Sequence, residues 1–156
     1  MIIASLLVAI ATAHTNQSGL PWRTYANDRF AFQICYPSAV FRIGPSPGND
    51  DGRSFDTLDG ANLAVFGSYF NADSGIEKER AEDERAVQGV IKYRAAGTDW
   101  FAFSGSYKSR IFYQKSILRD GRFVTLAFNY PSSLAAKYDP IVRKIVGCLR
   151  TVRPAF

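Results

Sequence analysis

Asp120-Gly121, set between two stretches of alternating side chains, constrains this chain more than any other feature. An Asp-Gly pair accepts positive φ at both central positions of a type I′ turn, the two-residue connection whose twist matches that of paired strands. Residues 110–119 and 122–130 are therefore predicted to form a hairpin in which Leu118 faces Phe123 and Ile117 faces Val124. This register sorts the side chains. One face receives Ile111, Tyr113, Ile117, Val124, Leu126, Phe128 and Tyr130, with Lys115 its odd polar member. The other receives Phe112, Gln114, Ser116, Leu118, Phe123, Thr125, Ala127 and Asn129. The first is a core face; the second is mixed, as in a sheet that a helix covers only in part.

The rest of the chain adds strands and two helices. Residues 22–25 and 30–36 read as strands about a turn at 26–29, and Phe30, Phe32, Ile34 and Tyr36 alternate at a period of two. Pro37 ends the second strand, and the Pro-, Gly- and Asp-rich residues 45–52 form a loop. Residues 54–58 and 62–69 read as a hairpin about Asp59-Gly60. Residues 76–88 are good helix formers, with Asp73 or Ser74 as the expected cap and a thin apolar stripe of Ile76, Ala81, Ala86 and Val87. Residues 90–93 and 100–104 continue as strands. Residues 132–149 read as a second helix, with a restart expected at Asp139-Pro140, since Asp suits an N-cap and Pro the first helical position. Ile141, Ile145, Cys148 and Leu149 keep helical spacing there. Runs of strands separated by single helices favour an α+β fold, an antiparallel sheet flanked by helices.

Residues 1–13 are apolar and uncharged and end in Ala11-Thr12-Ala13, the small-x-small pattern cut by a signal peptidase, although the start carries no Lys or Arg. The run is too short to span a bilayer, which takes about 20 residues, and no lipobox-type Cys follows it. The expected organisation is a signal peptide over 1–13, a linker over 14–21 and one domain over 22–153, in a periplasmic or secreted protein without a transmembrane segment. About 140 residues remain after cleavage, enough for one domain with its own core.

Charge is distributed unevenly. Residues 14–103 hold 9 basic and 12 acidic side chains, whereas residues 104–156 hold 10 and 2. The basic C-terminal third suits an anionic partner, whether an acidic protein face, lipid headgroups or nucleic acid, or is an ordinary solvated surface. No helix-turn-helix, zinc-finger or RNP-type motif supports nucleic acid as that partner. The candidate docking residues are Lys108, Arg110, Arg119 and Arg122, at the two ends of the hairpin. The two cysteines, Cys35 and Cys148, invite a disulfide in an oxidising compartment; two buried thiols are the competing reading.

A resemblance also rests on Tyr25-x-Asn27-x-Arg29-Phe30-x-Phe32-x-Ile34-x-Tyr36-Pro37, Asn49-Asp50-Asp51-Gly52-Arg53-x-Phe55, Trp100-Phe101-x-Phe103-Ser104-Gly105, Arg110-Ile111-Phe112-Tyr113-x-Lys115 and Tyr130-Pro131. With these strand ends and turns the chain resembles a group of bacterial secreted proteins. They in turn resemble the PsbP-like superfamily, which includes the photosystem II extrinsic subunit, bacterial DcrB lipoproteins and a nuclear import factor that binds Ran GTPase. The resemblance spans residues 25–149. It implies an α/β/α sandwich and a role in binding macromolecules, not in catalysis, and it carries no active-site residue over. The missing lipobox departs from the DcrB pattern.

The catalytic readings are thin on chemical grounds. His14 is the only histidine, which leaves nothing for a Ser-His-Asp or Cys-His arrangement inside the domain. No G-x-S-x-G, P-loop or dinucleotide fingerprint occurs, and no cofactor is expected. Carboxylates remain: Asp50, Asp51, Asp56 and Asp59 crowd residues 49–59. Asn49, Asp50 and Asp51 are a weak candidate for a cation, and the loop is the alternative site for a small-molecule binder or weak hydrolase. The same Asn-Asp-Asp-Gly run is also an ordinary turn. The leading expectation is a non-catalytic exported protein that binds a macromolecular partner at or near the cell envelope.

Overall fold

The computed structural model describes residues 19–152. The expected signal peptide, His14 and most of the expected linker lie outside the described residues. In chain order the elements are β1 (Trp22–Asn27), β2 (Phe32–Pro37), β3 (Arg42–Ile43), β4 (Gly52–Asp56), β5 (Asn62–Tyr69), α1 (Ile76–Ala86), β6 (Val90–Ala96), β7 (Trp100–Tyr107), β8 (Arg110–Arg119), β9 (Arg122–Pro131), a 3₁₀ turn at Ser132–Leu134, α2 (Ala135–Cys148) and β10 (Arg150–Thr151). The fold is α+β, with two antiparallel sheets where the sequence suggested one. A seven-stranded sheet runs β3-β4-β5-β9-β8-β7-β6, and a three-stranded sheet runs β1-β2-β10.

The β8–β9 hairpin sits inside the large sheet and sets its two faces. Ile117 pairs with Val124 and Leu118 with Phe123, the register expected from Asp120-Gly121, whose φ values of 49° and 69° are both positive. On one face Val124, Leu126, Phe128 and Tyr130 join Phe55, Leu63 and Val65 from β4 and β5, Phe32, Ile34 and Tyr36 from β2, and Tyr138, Ile141 and Ile145 from α2. The small sheet and α2 thus share one covering layer. On the other face Phe101, Phe103 and Phe123 meet Ile76 and Val87, which bracket α1. The two coverings differ in strength. Among the largest side chains with under 2% exposure only Phe101 and Phe103 lie on the α1 face, and α1 has no buried residue. At about 1.5–3 kcal/mol per fully buried large apolar side chain, the α2 face dominates stability and α1 is the element most easily detached.

Several local expectations need correction. Helix α1 is capped by neither Asp73 nor Ser74. Its N-cap is Gly75 at φ 73°, with no side-chain bond, because the Asn71 carboxamide oxygen takes the Asp73 backbone N–H in a preceding turn. The helix also ends at Ala86, before 88. Helix α2 does not restart at Asp139-Pro140: it begins at Ala135 and carries Pro140 inside. Asp139 is drawn away from capping because its carboxylate accepts from the Tyr130 hydroxyl at 2.7 Å. The β4–β5 connection is a wider turn over 57–61 than an Asp-Gly hairpin, closed by Thr57 Oγ1, which accepts from the Ala61 N–H at 2.9 Å.

Cys148, the last residue of α2, is bonded to Cys35 of β2, with Cα atoms 5.8 Å apart. The bridge closes the small sheet onto the helix that follows it in space. After it, β10 returns to pair Arg150 with Gln33.

Candidate functional site

The tip of the β8–β9 hairpin places two arginines directly opposite each other, Arg119 on β8 and Arg122 on β9. Arg122 is in turn paired with Tyr69 at the end of β5. Residues opposite one another in a sheet share a face, so the three side chains form a row on the α2 face. Tyr69 is 66% exposed, and its ring lies 5.2 Å from that of Phe30. Phe30 lies flat on Gly67, where an added Cβ would come within 2.0 Å of its ring. The Arg29 guanidinium covers the Phe30 ring at 5.2 Å. The result is a rim of Arg29, Phe30, Tyr69, Arg122 and Arg119.

The rim is held in place. The Gly121 carbonyl accepts from the Phe70 N–H at 2.9 Å, which fixes the tip against the end of β5. Its charge is barely neutralised: Asp120 approaches Arg119 at 3.9 Å, and among the described residues no carboxylate lies within ion-pair distance of Arg122. Like charges directly opposite in a sheet are destabilising. The sequence therefore keeps an arrangement that disfavours the fold locally, with no ion pair at Arg122 among the described residues, while presenting guanidinium donors beside an exposed tyrosine.

The four arginine and lysine positions expected as one docking surface are not brought together. Lys108 sits in the β7–β8 turn at φ 51°, with its ammonium 5.1 Å over the Tyr107 ring. Arg110 begins β8 and Arg119 ends it, so about 30 Å of strand separates them. They also face opposite sides of the sheet, nine positions apart in a period of two. Arg110 donates to Gly60 O at 2.7 Å and to the Asn129 side chain. Lys115 lies on the α2 face with its ammonium 5.0 Å over Trp100, a polar end carried on an apolar stem. Tyr69 and Arg29 are not among the docking residues that the sequence suggests; the signals for them are an aromatic at the last position of an alternating strand and an arginine in the turn before Phe30.

The acidic loop is largely occupied by its own neighbours. Asn49 Nδ2 donates to Asp51 at 2.8 Å, Arg53 and Ser46 reach Asp50 Oδ1 at 3.3 and 3.2 Å, and Asn62 donates to Asp56 at 2.6 Å. Asp50 itself turns the chain at φ 48°, its carbonyl accepting from Asn27 at 2.9 Å. Asp59 belongs to a different network on α2. A depression of about 470 Å³ lies beside the loop, and Asp51 is its one carboxylate. Among the described residues that line it there is no second carboxylate to pair with Asp51. Among the described residues, no three His, Cys, Asp or Glu side chains are close enough to hold a metal, and no helix is long and apolar enough to cross a membrane.

This arrangement, a large antiparallel sheet with one helix on one side and a helix plus a small sheet on the other, is similar in fold to two solved structures. The solution structure of cyanobacterial PsbP (CyanoP) from Synechocystis matches over 83% of this chain and 92% of its own, with a TM-score of 0.61 at 12% identity. A crystal structure from Bacteroides thetaiotaomicron matches over 83% of this chain and 48% of its own, with a TM-score of 0.50 at 14% identity. At such identities the likeness is one of fold. No family model and no curated protein matches the sequence.

Proposed function

We propose that this chain is a non-catalytic exported protein that docks an acidic protein partner at or near the cell envelope, through the rim of Arg29, Tyr69, Arg119 and Arg122. The observation that carries the reading is the Arg119–Arg122 pair, two like charges held opposite each other beside exposed Tyr69. An acidic partner removes their repulsion, and each guanidinium presents a fork that matches a carboxylate. Tyrosine and arginine are also the side chains that most often dominate binding energy at interfaces.

The fold likeness to CyanoP supports the class of role, and the apolar leader at 1–13 and the Cys35–Cys148 bridge support an oxidising, extracytoplasmic location. Lys108 and Arg110, at the far end of β8, lie outside this docking surface. The test is capture from the native envelope fraction by the immobilised mature protein and by a folded R119E/R122E variant. The reading expects a specific acidic protein retained by the first, lost from the second and eluted by salt. Equal retention by both would reject the rim.

A further inference from the structure

Helix α1 covers only part of its side of the large sheet. Beyond its C-terminus, where Val87 and Gln88 lead into β6, the sheet is bare and forms a hollow of about 300 Å³. That volume is at the lower end of small-molecule sites, roughly 300–1,000 Å³. The floor is apolar, made by Phe103, Phe112 and Ala127. Small residues create the space: Ala127 on β9 offers one carbon, and Gly105 on β7 leaves room for the Phe112 ring, which an added Cβ would approach at 2.7 Å.

Arg110 stands at one end of this hollow with Asn129. The guanidinium is half-buried and, among the described residues, is held by neutral acceptors. Nη2 donates to Gly60 O at 2.7 Å and to Asn129 O at 3.4 Å, and Nε donates to Asn129 Oδ1. Among the described residues no carboxylate lies within 4 Å of it, so a pre-oriented positive charge borders an apolar hollow without a counter-ion. Nη1 makes no hydrogen bond to the described residues. The Asn129 amide is fixed by accepting through Oδ1, which leaves Nδ2 as a second donor at the same end. Nη1 and Asn129 Nδ2 are thus the donors left for an anion, one to each oxygen of a carboxylate.

We infer that this hollow binds a small carboxylate with an apolar body, the anionic end on Arg110 and Asn129 and the body over Phe112 and Ala127. The site is on the opposite face of the sheet from the arginine rim and is independent of it. Benzoate is the probe, with benzamide as its neutral isostere, titrated into the full mature protein and followed by amide chemical shifts. Saturable shifts at Phe112, Ala127 and Gln88 with benzoate and none with benzamide are expected. Ala127→Leu fills the floor without touching Arg110 and weakens benzoate binding by about tenfold or more, and Arg110→Gln does the same by removing the charge. Should Arg110→Gln fail to fold, Ala127→Leu still decides. Absence of saturable shifts, equal binding of benzamide, or unchanged affinity in folded Ala127→Leu would overturn the proposal.

Discussion

The hydroxyl of Tyr138 donates to Asp59 Oδ1 at 2.5 Å, joining the first turn of α2 to the β4–β5 turn. Lys137 and Thr57 complete the site at 2.5 and 2.6 Å. Burial by itself pushes the Asp59 carboxyl up. The hydrogen bonds from Lys137, Thr57 and Tyr138 and the charge of Lys137 outweigh it and hold the group well below the usual carboxylate range. A depressed carboxylate contributes stability that is complete above its unfolded value, about 3.9, and is lost as the pH falls through the folded one. Asp59→Ala is expected to cost about 1–3 kcal/mol near neutrality, with a shallower acid limb than the parent. Denaturant titrations across the acid range measure both; a variant as stable as the parent near neutrality would remove this tie from the account.

Asp83 behaves in the opposite sense. Partial burial on the side of α1 that meets Gln114 of β8 raises its carboxyl, the hydrogen bond from Gln114 opposes that, and the nearby Glu79 and Glu82 raise it further. A raised carboxyl favours the fold below its unfolded value and loses that contribution as the pH rises through the folded one. Asp83→Asn keeps an acceptor for Gln114 and is expected to raise stability near neutral pH while changing little at about pH 4. The comparison of thermal midpoints at the two pH values checks it, and an equal shift at both would contradict the assignment.

The Cys35–Cys148 bridge spans 113 positions of sequence. In the chain-entropy model a loop of that length stabilises by about 4–5 kcal/mol, less any strain. The Cys35→Ser, Cys148→Ser protein is expected to unfold at a markedly lower guanidinium concentration than the oxidised parent. Coincident midpoints would show that the bridge contributes nothing.

Legibility in the sequence followed the range of the interaction. Asp120-Gly121 announced itself because both residues must take positive φ, and from that turn alone the pairing of Ile117 with Val124 and the division into a core face and a mixed face followed. Phe32, Ile34 and Tyr36 were legible by alternation and are buried; Phe30 is buried too, but from the turn before β2, where Ala31 has a φ of 54°, and not as the strand residue the alternation implied. Asp139-Pro140 misled because its local cap signal lost to a tertiary bond from Tyr130, while Ala135 and Ala136 extended the helix backwards. The small sheet was hidden because β10 meets β2 only across the whole chain. For the same reason Arg110 read as a free surface charge. Its acceptors, Gly60 and Asn129, arrive from separate strands, and its face is set by a register that also sends Arg119 the other way. Tyr69 joined the arginines only through the pairing of β5 with β9.

The docking claim is tested most directly by a photo-crosslinking residue placed at Tyr69, compared with one at Lys78 on the exposed side of α1, each expressed in the native host. The account predicts one acidic envelope protein joined at position 69, absent at position 78, and lost when Arg119→Glu and Arg122→Glu are added. No adduct at position 69, or the same adducts at both positions, would contradict it.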